Sequence, residues 1–75
     1  GDFTDILTLV PHFFHTPHDL TRKACGWMLR EVGKKDKAVL VRFLEEHCQV
    51  MPRTMLRYAI EKFADDERRR FMQRR

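Results

Sequence analysis

The sequence predicts an all-α fold of antiparallel helical hairpins, about five helices in all. Two observations carry that expectation. The 75 residues hold only three glycines and no Asn-Gly or Asp-Gly turn. No stretch alternates apolar and polar residues over a strand's length, whereas apolar residues recur at helical spacing along the whole chain.

The first helix is expected over about residues 3–14, capped by Asp2 or Thr4. Pro11 falls in its last turn and should bend or end it early, because proline removes a donor and crowds the preceding turn. The second is expected over about residues 18–35. Thr16 is its candidate N-cap, Pro17 takes the favoured first position, and Asp19 suits the positive helix end. Gly33 lies near its finish, where Lys34 and Lys35 complement the negative end. Asp36 caps a third helix that continues to about residue 47. A fourth starts with Pro52 in its first turn and runs to about residue 63. The fifth is short and capped by Asp65. Its acids come first (Asp65, Asp66, Glu67) and its bases last (Arg68, Arg69, Arg70), as the helix dipole prefers. Arg74 and Arg75 read as a frayed basic tail.

Connections of about two to six residues make neighbouring helices pack antiparallel. The two central hairpins are similar in length, the habit of stacked helix pairs in an α-solenoid of the HEAT type. Two repeats are too few for a stable solenoid, so residues 1–75 read as a single helical-repeat fragment of something longer.

Fifteen Lys and Arg face 11 Asp and Glu, for a formal net charge of +4. Most of the excess lies after Lys37. That favours a polyanionic partner, though mildly. Cys25 and Cys48 allow at most one disulfide. Both lie in helical stretches with no secretory segment, which predicts two free thiols in a reducing cytoplasm. No apolar run approaches the roughly 20 residues of a membrane span, so no membrane partner is expected.

The second helix carries the most informative pattern. At about 100° per residue from Leu20, the residues Leu20, Ala24, Cys25, Met28, Leu29 and Val32 spread between about 0° and 180°, the expected core face. Lys23, Trp27, Arg30 and Lys34 fall together on the flank, at spacing i, i+4, i+7, i+11. The only tryptophan thus sits inside a row of three cations. One reading makes Trp27 the edge of the core and the cations a solvated face, with Arg30 and Lys34 stacking on the ring. The other makes the stripe a nucleic-acid surface, where cations take phosphates and the indole meets a sugar or base.

A second basic candidate lies on the fourth helix. Met55, Leu56, Ala59, Ile60 and Phe63 share its core face. Arg53 and Arg57 stand four apart on one flank, with Thr54 and Tyr58 beside them. Free backbone N–H groups at that helix start offer a phosphate seat. The plainer alternative pairs Arg57 with Glu61 at i+4.

Other constellations are bland. His12, His15 and His18 cluster around a joint marked by Pro17, but no cysteine or carboxylate stands at a recognised zinc spacing. No metal and no cofactor are expected. His47 and Cys48 are adjacent, so their side chains diverge by about 100° and do not form a dyad. There is no glycine-rich phosphate loop and no convergent carboxylate pair. No catalytic residue is expected within the chain.

One run of residues carries a family likeness. The stretch His18-Asp19-Leu20 through Lys23-Ala24-Cys25-Gly26-Trp27-Met28-Leu29-Arg30-Glu31-Val32-Gly33-Lys34 resembles the signature of the bacterial DNA alkylation repair glycosylases built from HEAT-like repeats. The likeness continues in Phe43-Leu44-Glu45-Glu46-His47. It is strong again in Met51-Pro52-Arg53-Thr54-Met55-Leu56-Arg57-Tyr58-Ala59-Ile60-Glu61-Lys62-Phe63. It covers nearly the whole chain. The departures are Pro11, where the family's helix continues, and Thr21-Arg22, which replaces a more apolar or histidine-containing pair. Family members are also much longer, and the likeness is to their C-terminal end alone. The family's catalytic aspartate and its partnering arginine lie in earlier repeats, and no residue here matches them.

The resemblance implies a chemistry. Such enzymes hydrolyse the N-glycosidic bond of purines alkylated on a ring nitrogen. The base is already cationic and leaves without strong acid help. A carboxylate stabilises the oxocarbenium-like sugar, and aromatic rings shape the cleft. Trp27 matches a cleft aromatic, whose electron-rich face suits a cation. Lys23, Arg30, Lys34, Arg53 and Arg57 are then the candidate DNA-binding residues, with alkylated double-stranded DNA as partner. Arg30 and Glu31 are alternatively an inter-repeat ion pair.

Two rivals compete. One is a helical-repeat interaction or scaffold module without DNA repair activity. The other is a helix-turn-helix regulator, for which the fourth helix is the sole and poor recognition candidate. An exposed repeat edge around Ile6, Leu9, Val10 and Phe13 predicts weak self-association.

Overall fold

The computed structural model describes residues 3–74. Asp2, an expected alternative cap, and Arg75, in the expected tail, lie outside them. Five α-helices and one 3-10 segment account for most of the described chain, with no strand among the described residues.

Helix α1 (Thr4–Leu9) gives way to a 3-10 segment at Val10–Phe13, with Pro11 near its start. Proline thus ends the α-helix before the expected limit, and the tighter turn carries the chain on. Phe3 occupies the N-cap position, so Thr4 is the first helical residue rather than the cap.

Helix α2 (Asp19–Lys35) begins one residue later than expected, with His18 at the N-cap. Thr16 does not cap it. Its Oγ1 accepts the His18 N–H at 3.3 Å, and its carbonyl accepts Arg22 Nε at 3.0 Å. Pro17 consequently lies before the cap and not in the first turn. Asp36 alone joins α2 to α3 (Lys37–His47). It closes α2 through its N–H on Val32 and caps α3 by accepting the Val39 N–H at 3.4 Å.

Pro52 is the N-cap of α4 (Arg53–Ala59), which stops well short of Phe63. Residues 60–63 form a turn, with Phe63 N–H donating to the Ile60 carbonyl at 2.9 Å. That turn brings Phe63 against Phe71, ring centroids 6.0 Å apart. Helix α5 (Asp65–Gln73) is capped by Ala64 and not by Asp65. Asp65 instead pairs with Arg68, while Glu67 accepts the Ala64 N–H at 3.3 Å. Arg74 is the C-cap and lies over the Phe71 ring, so it is no frayed tail.

Helix α2 is the hub. It packs most extensively on α4, then on α3, and also touches α1 and the 3-10 segment. The pairing of α2 with the non-consecutive α4 is compatible with stacked helical hairpins. One apolar cluster fills the interior, from Val10 and Phe14 through Leu29, Leu44 and Met55 to Phe71.

The α2 core face is turned from the one expected. Cys25, Gly26, Leu29 and Val32 are buried, whereas Leu20 is 79% exposed and Ala24 is also exposed. The cause is Gly26. A Cβ there would lie 2.6 Å from both the Met55 carbonyl oxygen and Tyr58 Cβ. The helices approach too closely for any side chain, so the glycine and not the leucine faces the partner. The apolar edge expected around Ile6, Leu9, Val10 and Phe13 is largely covered within the chain: Val10 is fully buried, Ile6 and Phe13 are half-buried against the core, and Leu9 is exposed.

Cys25 and Cys48 are free and buried, and burial pushes the Cys25 thiol upward. No described helix is long and apolar enough to cross a membrane.

The two α2 glycines should respond differently to alanine. Gly26→Ala meets backbone and should lower stability by about 1–3 kcal/mol or more. At Gly33 the added methyl meets no backbone but runs into the side chain of buried Leu40, which must shift; better helix propensity, about 1 kcal/mol, offsets part of that, so Gly33→Ala should cost less than Gly26→Ala. Urea titration followed by circular dichroism measures both; equal effects would remove the special role given to Gly26.

Candidate nucleic-acid interface

Of the α2 stripe, Lys23, Trp27 and Lys34 are exposed, whereas the Arg30 side chain is only 18% exposed. Trp27 is 51% exposed and is not part of the core cluster. The Arg30 guanidinium lies 6.0 Å from its ring centroid. The cations around it are already engaged. Arg30 Nη1 donates to Glu61 at 2.6 Å, and Arg30 Nε stands 3.8 Å from Glu31. Lys34 Nζ reaches the same Glu31 at 3.5 Å. Lys23 Nζ pairs with Asp19 at 3.2 Å. Hydrogen bonding to Asp19, then its charge, then that of Tyr58 raise the Lys23 pKa above its ordinary value.

Across the interface the situation is opposite. Arg53 and Arg57 are exposed on α4, and their guanidiniums have no hydrogen bond or ion pair among the described residues. The alternative Arg57–Glu61 pair does not form, because Glu61 reaches over to Arg30. At seven residues α4 is also too short to make its N-terminus a phosphate seat in its own right.

Two concavities gather these groups. The larger, an open groove of about 980 Å³, is lined by Lys23 and Asp19 from α2, by Arg53, Thr54, Arg57 and Tyr58 from α4, and by Arg68 and Met72 from α5, with Glu61 at its edge. The smaller, of about 230 Å³, holds Arg30, Lys34, Lys37 and Lys62 around Gly33 and Phe63. The structure therefore brings Lys23, Arg53 and Arg57 together. Arg30 and Lys34 go to the neighbouring recess, and Trp27 lines neither.

Residues 1–63 match the sequence profile described as DNA alkylation repair enzyme. The chain belongs to the DNA alkylation repair enzyme family. All six residues singled out in the sequence fall inside the match. It ends before α5. Membership in a DNA alkylation repair family points to DNA as the substrate class. No curated protein and no solved structure gives a significant match.

Sequence reasoning missed four groove or recess residues: Arg68, Met72, Lys37 and Lys62. Arg68 and Met72 are one helical turn apart, a signal that was available. Their facing was not, since it depends on how α5 docks. The histidines stay apart from any ligand set; no group of three His, Cys, Asp or Glu that could hold a metal forms among the described residues.

Half exposure sets what Trp27→Ala should do to the fold. A fully buried aromatic would cost about 3–5 kcal/mol on truncation. Trp27→Ala should instead cost roughly 1 kcal/mol, the share of its area that packs plus the Arg30 contact. Thermal unfolding of the variant measures this; a loss on the scale of a buried aromatic would return Trp27 to the core.

Proposed function

We propose that this chain is the DNA-binding, C-terminal part of a glycosylase that removes cationic alkylated purines from duplex DNA. The observation that carries the reading is the groove in which Lys23 meets Arg53 and Arg57, two guanidiniums with no carboxylate partner among the described residues, in a member of a DNA alkylation repair family. Unpaired cations along a groove suit a phosphate backbone, and neutralising phosphates releases counterions. Trp27 supplies a half-exposed indole on the adjoining face, where a cationic base or sugar finds the electron-rich ring. Arg30 and Lys34 add positive charge beside it.

In this reading the bond-breaking step is not performed by this chain alone. A carboxylate must face the developing oxocarbenium charge. By the resemblance, no residue of this chain matches the family's catalytic aspartate, and the groove carboxylates Asp19 and Glu61 instead pair with Lys23 and Arg30. The catalytic aspartate belongs to preceding repeats of the intact enzyme.

A second reading, a helical-repeat interaction module, is favoured by one observation. Leu20 and Trp27 are both exposed on the outward side of α2. Such an apolar strip suits a neighbouring repeat or a protein partner.

Salt separates the two. Duplex affinity should fall by roughly 0.9 log units per contacted phosphate for each log unit of salt, and Arg57→Ala should reduce that slope by about one phosphate. Fluorescence anisotropy with labelled duplex measures it. The same preparation should release no methylated purine from alkylated DNA. Salt-independent binding to DNA, or enzyme-titratable base release, would overturn the reading.

A further inference from the structure

The groove has three walls, and the third lies beyond the family match. Helix α5 starts at Asp65, after the matched residues end at 63. It is nonetheless fixed firmly in place. Phe71 is 4% exposed and packs on Phe63. Lys37 Nζ, from α3, donates to both Glu67 oxygens at 2.9 Å. That hydrogen bond holds the Glu67 pKa below its ordinary value, helped by the Ala64 N–H. Glu67 and Phe71 are four apart and form the locking face.

The next residues along form a second face. Arg68 and Met72, also four apart, line the groove opposite Lys23, Arg53 and Arg57. Arg68 is held by Asp65, whose side chain is 81% exposed. So exposed a pair contributes little. Asp65 takes only one guanidinium nitrogen, Nη2, whereas a backbone phosphate of the same single charge can accept two guanidinium N–H bonds at once. The Asp65 carboxylate thus keeps the guanidinium aimed along the helix face and can be replaced by a phosphate oxygen.

Resting on the proposed DNA-binding groove, we propose that α5 is its third wall and that Arg68 is a phosphate-contacting residue. Arg68 exchanges Asp65 for a backbone phosphate of duplex DNA. Arg57 approaches from the α4 wall, so the two guanidiniums grip the backbone from separate helices. The contact is to phosphate and is indifferent to lesion and sequence. It also extends the groove past the residues shared with the family.

The test compares Arg68→Ala, Arg68→Lys and Arg57→Ala in the whole chain. Binding to an undamaged labelled duplex of about 20 base pairs is followed by anisotropy across a salt series. Circular dichroism melts confirm that each variant stays folded; Arg68 is exposed enough for this to hold. Arg68→Ala should weaken binding by roughly fivefold to tenfold at moderate salt and reduce the slope by about one phosphate, with Arg68→Lys intermediate. If Arg57→Ala weakens binding but Arg68→Ala leaves affinity and slope unchanged, the α5 wall is wrong and the groove reading survives. If neither variant changes binding, or the duplex does not bind at all, the DNA-binding reading fails with it.

Discussion

The close contact of α2 with α4 at Gly26 is the constraint from which the rest of the structure follows. The Met55 carbonyl and Tyr58 Cβ stand 2.6 Å from where any Cβ would be. Only glycine permits that approach. The approach in turn sets the rotation of α2, buries Cys25, Leu29 and Val32, and turns Leu20 and Trp27 outward. It also puts Lys23 of α2 into one groove with Arg53 and Arg57 of α4. Separate the helices by the width of a methyl group, and the 2.6 Å Arg30–Glu61 bridge that spans them loses its geometry as well. Packing and charge arrangement are therefore set by the same contact.

Charge then divides the surface into two kinds. On α2, Lys23, Arg30 and Lys34 are matched by carboxylates on α2 itself or across the interface. The α4 arginines are not. Exposed pairs such as Lys23–Asp19 are weak and are screened further by salt. A polyanion entering the groove would meet two free guanidiniums first and could recruit paired ones at small cost. This graded arrangement explains how a chain with a modest net charge of +4 can still present a concentrated basic groove.

Much of this was legible in the sequence, and the failures share a cause. Helix identity followed from periodicity, and the Asp36 cap followed from local chemistry alone. Pro11 ended α1 for a purely local reason. These are interactions within a few residues, and the sequence carries them directly. The α2 facing was misjudged because counting apolar residues gives Leu20 weight and Gly26 none, although the glycine makes the decisive contact. The early end of α4 and the part played by α5 depend on Phe63 meeting Phe71 across a turn. Spacing offers Glu61 to Arg57 as one of two alternatives, but Arg30, 31 positions away, takes it. Each miss is a choice between a local and a distant partner, which spacing cannot decide.

The Arg30 arrangement bears on how Trp27 could serve a cationic ligand. The guanidinium over the ring is pinned by Glu61, in the turn after α4, and lies near Glu31 on α2. It already occupies one side of the indole. A second cation approaching that side would meet like charge as well as a filled contact. Under the proposed function, a positively charged purine or sugar therefore uses the opposite face, while Arg30 acts as a prop that holds the ring steady from behind. Steadiness matters here because Trp27 is half exposed and lacks a buried cage of its own. The bridge that ties α2 to α4 then orients the aromatic as well, linking the helix contact at Gly26 to the one side chain best suited to meet a cation.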